Sequence, residues 1–229
     1  MYTQDQIEMV ASKIDHAVLN PSDGDIQVLR ACSVAKKFKV ASVCVKPSHV
    51  KLAVEELEGS GIAICTVVGF PHGGTTTGIK YAEAMEAIKN GATEIDMVLN
   101  IGKLKEENIT YVQTEIEFVA NYVKQAKGIT KVIIETSLLN EKQKIIACKI
   151  VENSGADFIK TSTGFSSSGA KVEDIILFKS ALNPRVKIKA SGGIKNLEQA
   201  IDLINAGCER IGTSRTESIL SLQEADGDY

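Results

Sequence analysis

The sequence predicts a single closed (β/α)8 barrel, the TIM-barrel class of α/β proteins, with an extra helix before the first strand. Eight short runs of β-branched and apolar residues alternate with longer amphipathic segments along the 229 residues. Several runs are almost continuously apolar, as is usual for parallel strands that helices cover on the outside. Eight such strand–helix units in a chain of this length are typical of a TIM barrel.

The eight predicted strands are spread over the whole chain. They occupy residues 14–19, 40–46, 63–69, 94–100, 131–137, 158–162, 186–191 and 210–214. A doubly wound open sheet is the main alternative, but such a sheet usually has fewer strands and a GxGxxG fingerprint after the first one, which this sequence lacks. No linker or low-complexity segment interrupts the pattern, so we expect one domain over residues 1–229.

The predicted helices fill the intervals between the strands. Apolar residues recur at spacings of three and four in 75–90 and 106–127, and these segments stop at Gly91 and Gly128. Glycine is the residue that most often ends a helix. The remaining predicted helices are 3–12, 23–38, 48–57, 139–153, 171–182 and 196–205.

The composition argues against several classes of function. With 26 basic and 29 acidic side chains the net charge is −3, which does not favour binding to nucleic acid or to an anionic membrane. No apolar run reaches the roughly 18 residues of a membrane span, and the N-terminus does not resemble a secretory signal. Five scattered cysteines without a CxxC pair fit reduced thiols, so we expect a cytoplasmic protein.

Two lysines lie near the ends of successive predicted strands. Lys160 alternates with Phe158 and Ser162, and Lys189 lies on the next strand before Ser191. A buried lysine is costly, and desolvation together with a neighbouring cation favours the neutral amine, which is a nucleophile toward carbonyl groups. The alternative for each is a structural lysine that is paired with a carboxylate.

Carboxylates in other strands are candidate partners for these lysines. Asp96 lies in the apolar run EIDMV, where an unpaired carboxylate would be rare, and beside two lysines it could relay a proton through a water molecule. Asp15 and Glu135 are weaker candidates, and we expect hydrogen-bonding roles for both.

Glycine-rich segments after the last three strands predict a phosphate site. In a TIM barrel such loops bring backbone amides and a helix N-terminus close to an anion. Each segment alone could be an ordinary turn. Together, however, they follow the last three strands, where TIM barrels often bind phosphate. The candidate residues are Thr163, Gly164, Gly192, Gly193, Gly212, Ser214 and Arg215.

Neither a metal site nor a serine-hydrolase triad is predicted. His16, His49 and His72 are far apart in the sequence and lack a ligand spacing such as HxxxH. There is also no GxSxG motif to support a nucleophilic serine. Amine-based carbonyl chemistry is therefore favoured over metal-dependent chemistry, without a cofactor.

The strand motifs resemble those of the deoxyribose-phosphate aldolase family, class I aldolases with the TIM-barrel fold. The resemblance runs from the first strand to the last and is most specific in EIDMVLNIG and FIKTSTGF. The matching segments are KIDH (13–16), VCVKP (43–47), VVGFP (67–71), EIDMVLNIG (94–102), KVIIET (131–136), ADFIKTSTGF (156–165), VKIKASGGI (186–194) and RIGTS (210–214).

The resemblance implies a reaction and roles for three residues. Lys160 would form the Schiff base, while Lys189 and Asp96 would donate and accept protons. The reaction would be reversible cleavage of 2-deoxy-D-ribose 5-phosphate to acetaldehyde and D-glyceraldehyde 3-phosphate, without cofactor or metal. The partner would be a phosphosugar, with no nucleic acid or membrane, and a homodimer and a homotetramer are the candidate assemblies.

Three positions depart from the family pattern or leave alternatives open. Arg215 stands where many members have a second serine, and it either binds phosphate or points into solvent. Lys46 also differs, and we assign it no role. Tyr229 ends the chain, where some members have a tyrosine that visits the active site. Two further functions stay open: an aldolase or transaldolase-like enzyme for another phosphosugar, and a non-catalytic phosphosugar-binding barrel.

Overall fold

Eight parallel strands form a closed barrel in the computed structural model, which describes residues 2–221. Each strand pairs with its neighbours in chain order, and the barrel closes where Asp15 of the first strand lies opposite Gly212 of the last. This confirms the predicted TIM barrel, because a doubly wound sheet would leave two open edges. The strands are β1 Ile14–Val18, β2 Ser42–Val45, β3 Ala63–Val68, β4 Glu94–Val98, β5 Ile129–Ile133, β6 Phe158–Lys160, β7 Lys187–Ser191 and β8 Arg210–Thr213.

The helices alternate with the strands, and the extra N-terminal helix is present. Its start is fixed by a capping box in which Thr3 and Gln6 bind each other's backbone. Two short helices, Ile101–Lys105 and Thr216–Leu220, were not predicted. The helices are α1 Gln4–Ala11, α2 Asp25–Phe38, α3 Val50–Leu57, α4 Thr77–Lys89, α5 Ile101–Lys105, α6 Ile109–Gln125, α7 Glu141–Asn153, α8 Val172–Ala181, α9 Leu197–Ala206 and α10 Thr216–Leu220.

Two predicted boundaries are wrong for local reasons. The predicted helix 106–127 begins only at Ile109, because Glu107 has φ 56° and Asn108 caps the helix by accepting from Tyr111 N. The predicted strand 131–137 ends at Ile133, because Glu135 has φ 52° and turns the chain into a 3-10 helix. Both turns use a left-handed non-glycine residue, which periodicity does not reveal.

The apolar core lies between the strands and the surrounding helices. Ile116, Phe178 and Ala200 are buried there on three different helices. Side chains alternate along a strand, so Ile95 in β4 faces the helices while Asp96 faces the inside of the barrel. The barrel interior is therefore charged at its centre. Among the described residues no helix is long and apolar enough to cross a membrane.

Candidate active site

A cavity of about 1100 Å³ opens at the carboxyl ends of the strands. Loops at this end of a TIM barrel carry the functional groups, because the fold below holds them rigidly. All the predicted site residues except Asp96 line the cavity, and Asp96 lies below its floor within contact of both predicted lysines. The residues that line it are Lys160, Lys189, Thr163, Gly164, Gly192, Gly193, Gly212, Ser214 and Arg215.

Lys160 and Lys189 share one carboxylate oxygen. The Lys160 Nζ lies 2.8 Å from Asp96 Oδ2, and the Lys189 Nζ lies 2.7 Å from the same atom. The two lysines are opposite each other on the paired strands β6 and β7, so their side chains enter the barrel at one level. All three side chains are buried. The structure thus brings the predicted lysine pair and Asp96 together.

A third lysine, which the sequence motifs did not single out, contacts the other oxygen of Asp96. The Lys131 Nζ lies 2.8 Å from Asp96 Oδ1, 2.6 Å from Glu94 Oε2 and 3.7 Å from Asp15 Oδ2. Its side chain has no exposed surface. The signal that could have revealed it is the charge inside the apolar strand segment 129–133, where the pattern indicated only the start of a strand.

Asp15 joins the lysines to a second pair of charges deeper in the barrel. Its Oδ2 lies 2.5 Å from the Lys189 Nζ, and its Oδ1 accepts from Ser42 Oγ at 2.7 Å and from Arg210. The Arg210 guanidinium also binds Glu94, with Nη2 2.8 Å from Oε1. These contacts fit the hydrogen-bonding role that we expected for Asp15.

Basic side chains outnumber carboxylates in this buried cluster. Although burial opposes ionisation, Asp15 and then Asp96 hold the pKa of Lys189 above its ordinary value, and Asp96 chiefly does the same for Lys131. Despite burial, these lysines likewise keep the pKa of Asp96 well below its ordinary value. Four basic side chains face three carboxylates: Lys131, Lys160, Lys189 and Arg210 against Asp15, Glu94 and Asp96.

The loops after β6, β7 and β8 are fastened to one another beside the two lysines. Ser191 Oγ donates to the carbonyl oxygen of Ser162 at 2.6 Å, and Thr213 Oγ1 donates to that of Ile194 at 3.1 Å. Gly192 has φ 85°, and its carbonyl oxygen accepts from Ala170 N. These contacts bring the three predicted phosphate-binding segments to one side of the cavity.

Glu135 holds the first of these loops in place. Its Oε2 accepts from the backbone N of Thr163 at 3.2 Å and also from Thr163 Oγ1. Glu135 is buried, so these bonds are shielded from competition with water. The contacts agree with the hydrogen-bonding role expected for Glu135.

Within residues 2–221 the histidines form no ligand cluster, but two cysteines lie beside Asp96. Among the described residues, the ligand atoms of Cys44, Cys65 and Asp96 form the one group that could hold a metal ion, within 4.8 Å of one another. A cation there would meet the nearby ammonium groups, since Lys131 Nζ is 3.4 Å from Cys65 Sγ. His16 is bound to Thr216, and burial lowers its pKa to about 4, so its ring is neutral at physiological pH.

The sequence left the roles of Arg215 and Tyr229 open, and the structure describes only the first of these residues. Arg215 lines the cavity at the beginning of α10, on the side of the glycine-rich loops, and its backbone N donates to Thr213 Oγ1. Tyr229 lies outside the described residues.

Comparison with known proteins agrees with the motif resemblance. A model of the DeoC/LacD family of aldolases matches residues 9–212. The chain is 47% identical over 212 residues to a deoxyribose-phosphate aldolase from Clostridium kluyveri, covering 93% of this chain and 97% of that protein. It is 50% identical over 213 residues to one from Caldicellulosiruptor saccharolyticus, with coverage of 93% and 97%.

Solved structures show the same similarity in three dimensions. A structure of QR15, an aldolase, has a TM-score of 0.88 and 40% identity, covering 93% of this chain and 95% of that one. The tetrameric deoxyribose phosphate aldolase from Aeropyrum pernix has a TM-score of 0.86 and 26% identity, with coverage of 96% and 97%. The match of the family model to most of the barrel, together with relatives identical at about half of their positions, shows that the chain belongs to the DeoC/LacD family of aldolases.

Proposed function

We propose that the protein is a class I aldolase that reversibly cleaves 2-deoxy-D-ribose 5-phosphate to acetaldehyde and D-glyceraldehyde 3-phosphate. The observation that carries this proposal is the buried trio in which Lys160 and Lys189 share Asp96 at the floor of the cavity. Glycine-rich loops that suit a phosphate group line the same cavity. Family membership supports the aldol reaction, and the relatives named above supply the substrate.

In this proposal Lys160 is the nucleophile. The cluster has one positive charge in excess when all its groups are ionised, so loss of one proton balances it. Among the described residues Lys160 lies against one carboxylate, whereas Lys131 lies against three and Lys189 against two. Loss of a proton from Lys160 would therefore break fewer ion pairs than loss of a proton from Lys131 or Lys189. That amine also lines the cavity, where the sugar aldehyde would bind.

The covalent steps then follow the chemistry of an amine with an aldehyde. The Lys160 nitrogen adds to C1 of the open-chain sugar, and loss of water leaves a protonated imine. Removal of the proton from the C3 hydroxyl breaks the C2–C3 bond, and the bonding electrons move into the imine to form an enamine. D-glyceraldehyde 3-phosphate leaves first. Protonation of the enamine carbon and hydrolysis of the imine then release acetaldehyde and restore the amine.

We assign the proton transfers to Lys189 and Asp96. The Lys189 ammonium is held charged by Asp15 and Asp96, so it places positive charge beside the imine and has a proton to donate, becoming a neutral amine when it does so. Asp96 contacts both lysines and can accept a proton through a water molecule. Asp15 and Lys131 hold this pair in position from below.

We assign phosphate binding to the three loops after β6, β7 and β8. The backbone amides at Gly164, Gly192 and Gly193 can approach an anion closely because glycine has no side chain. Thr163, Gly212 and Ser214 complete this wall, and Arg215 adds a guanidinium that can bind two phosphate oxygens.

The proposal extends to the whole chain and its setting. Residues 1–229 would form one catalytic domain that works in the cytoplasm on a phosphosugar. All five cysteines are free and buried, which fits a reducing compartment. A tetramer is the assembly of the relative from Aeropyrum pernix, so a homotetramer and a homodimer are the states to examine.

Borohydride trapping tests the proposed reaction directly. Incubation with 2-deoxyribose 5-phosphate and borohydride should attach a substrate-derived adduct to Lys160, and Lys160→Met should abolish both adduct and cleavage. Lys149→Met, which alters an exposed lysine of α7, should retain both. An adduct on another lysine would refute the assignment of Lys160. Full activity on a sugar phosphate that carries the 2-hydroxyl, with none on the deoxy sugar, would refute the substrate.

A further inference from the structure

The loop between β1 and α2 is held by the side chain of Lys46, a contact that the proposed mechanism does not use. Lys46 follows β2 directly, and its Nζ lies 3.0 Å from the carbonyl oxygen of Asn20, 3.1 Å from that of Pro21 and 2.7 Å from that of Asp23. An ammonium group has three N–H donors. Each donor of Lys46 is therefore matched by one backbone carbonyl of the same loop.

The loop is a tight turn that its own polar side chains build. Asn20 Oδ1 accepts from the backbone N of Ser22 at 3.0 Å, and Asp23 Oδ2 accepts from the backbone N of Asn20 at 3.1 Å. Turns of this kind satisfy the backbone N–H groups locally. Three carbonyl oxygens then converge on one point, and their partial negative charges repel one another unless a cation lies between them. The Lys46 ammonium supplies that cation.

This loop forms part of the wall of the cavity. Leu19, Asn20 and Asp23 line the same cavity as Lys160 and the glycine-rich loops. β1 pairs with β8, so the loop after β1 is next to the phosphate-binding side. A shift of the loop would change the space available to the substrate and leave the ion pairs of Asp96 intact.

We propose that Lys46 is a positioning residue for substrate binding. Its ammonium holds the β1–α2 loop in the conformation in which Asn20 and Asp23 form one wall of the cavity. The inference rests on the proposed function, because the substrate is the phosphosugar assigned there. Lys46 acts through the loop, so its removal weakens substrate binding and leaves the chemical steps at Lys160 unchanged.

Kinetics of Lys46→Met test this role. Methionine keeps an unbranched side chain but removes the charge and all three donors. We expect KM for 2-deoxyribose 5-phosphate to rise about tenfold, as loss of charge-assisted hydrogen bonds does, while kcat changes by less than about twofold. Lys51→Met is the matched control, since it makes the same charge change at an exposed position of α3.

A chemical rescue separates positioning from a general loss of structure. In Lys46→Ala the three carbonyls are left facing a small space, which an added ammonium ion can enter and bridge. Ammonium chloride should therefore lower the KM of Lys46→Ala and leave that of the unaltered protein the same. Tetramethylammonium chloride at equal concentration has no N–H donor and should not lower it.

Hydrogen exchange measures the loop without reference to activity. The backbone amides of residues 20 and 22–24 should exchange faster in Lys46→Met than in Lys51→Met, whereas amides of β6 and β7 should not change. An unchanged KM in Lys46→Met, or a fall in kcat at constant KM, would overturn the inference. A lack of cleavage by the unaltered protein would instead refute the proposed function. Exchange at residues 20 and 22–24 that is as slow in Lys46→Met as in Lys51→Met would still overturn the positioning role.

Discussion

Lys160 lies in a cluster of charges, and this changes the physical reason for its proposed reactivity. The sequence suggested a lysine desolvated among apolar residues, yet its Nζ lies 2.8 Å from Asp96, which Lys131 and Lys189 also contact. Burial prevents water and salt from screening these charges. The environment of Lys160 is therefore a cluster with more basic groups than carboxylates, and not apolar surroundings alone.

Lys131 contacts more carboxylates than either of the other two lysines in the buried cluster. We expect Lys131→Met to lower the free energy of unfolding by about 3–5 kcal/mol, because it breaks three buried ion pairs and leaves carboxylate oxygens of Glu94 and Asp96 without the ammonium group that they contact. Its three carboxylate neighbours would then lack one cation. Urea unfolding at pH 7 measures the change.

The control for this prediction is a lysine whose ion pair is exposed. The side chain of Lys149 is 58% exposed and pairs with Glu152, so Lys149→Met should cost less than about 1 kcal/mol. Equal stabilities for the two variants would show that Lys131 adds nothing beyond an ordinary surface pair.

At the scale of elements, loops at the carboxyl end are fixed by close backbone contacts. The loop after β3 passes the end of β4 at Gly73, which has φ 68° and is buried. A Cβ on Gly73 would lie 2.0 Å from the carbonyl oxygen of Leu99, an atom of the backbone that cannot move aside cheaply. Only glycine allows the two loops to approach in this way.

Replacement of this glycine should show the cost of that contact. We expect Gly73→Ala to lower the free energy of unfolding by about 2–5 kcal/mol, because the left-handed conformation and the collision both oppose alanine. Gly59 has φ 70°, and a Cβ added there would meet nothing within 4 Å, so Gly59→Ala should cost only about 1–2 kcal/mol. Thermal or urea unfolding of both variants separates the collision from the backbone strain. If Gly73→Ala were as stable as Gly59→Ala, the expected collision between a Cβ at position 73 and the Leu99 carbonyl oxygen would be wrong.

Sequence patterns predicted the positions of the strands and long helices correctly, but several of their first and last residues incorrectly. Each of the eight predicted strands overlaps an observed one. Runs of apolar β-branched residues favour strands, because these side chains pack well on a pleated surface. The errors occur where one residue changes direction, as at Glu107 and Glu135. The short helices α5 and α10 contain too few turns to show a period.

At the scale of the whole molecule, the barrel encloses a group of charges in its centre. Asp15, Asp96 and Lys131 come from three different strands and have no exposed surface. Their mutual contacts replace the water that each would have in the unfolded chain. The stability of the barrel is therefore tied to the ionisation of its interior.

This arrangement predicts how stability depends on pH. The neighbouring cations outweigh burial and lower the pKa values of Asp15 and Asp96 in the folded protein. Their contribution is present above the unfolded pKa of about 4 and is lost as the pH falls below it, because the unfolded chain then binds more protons. We expect each carboxylate to contribute a slope of up to about 1.4 kcal/mol per pH unit between about pH 4 and pH 2.

Urea unfolding at a series of acidic pH values measures this slope. Asp15→Asn should reduce the slope of the unfolding free energy against pH by the contribution of one carboxylate, since the amide side chain does not titrate. Asp5→Asn, at an exposed position of α1, is the control and should leave the slope as it is. A slope that Asp15→Asn does not alter would mean that the interior carboxylates are not the groups that titrate.

The sequence by itself determined the fold class, the family resemblance and the residues that carry the proposed chemistry. Strand periodicity requires only neighbouring residues, and Lys160, Asp96 and the glycine-rich segments stood out against apolar strands or at strand ends. Family membership is confirmed by the comparisons with known proteins. The roles of the individual residues stay predictions.

Only the tertiary structure decided which charges meet. Lys131, Glu94 and Arg210 enter the barrel from three strands, and their proximity follows from strand register and barrel closure. Likewise, the contact of Lys46 with the loop at 20–23 joins segments more than twenty residues apart. Electrostatic energy depends on distances between side chains and on burial, and a linear pattern of residues contains neither quantity.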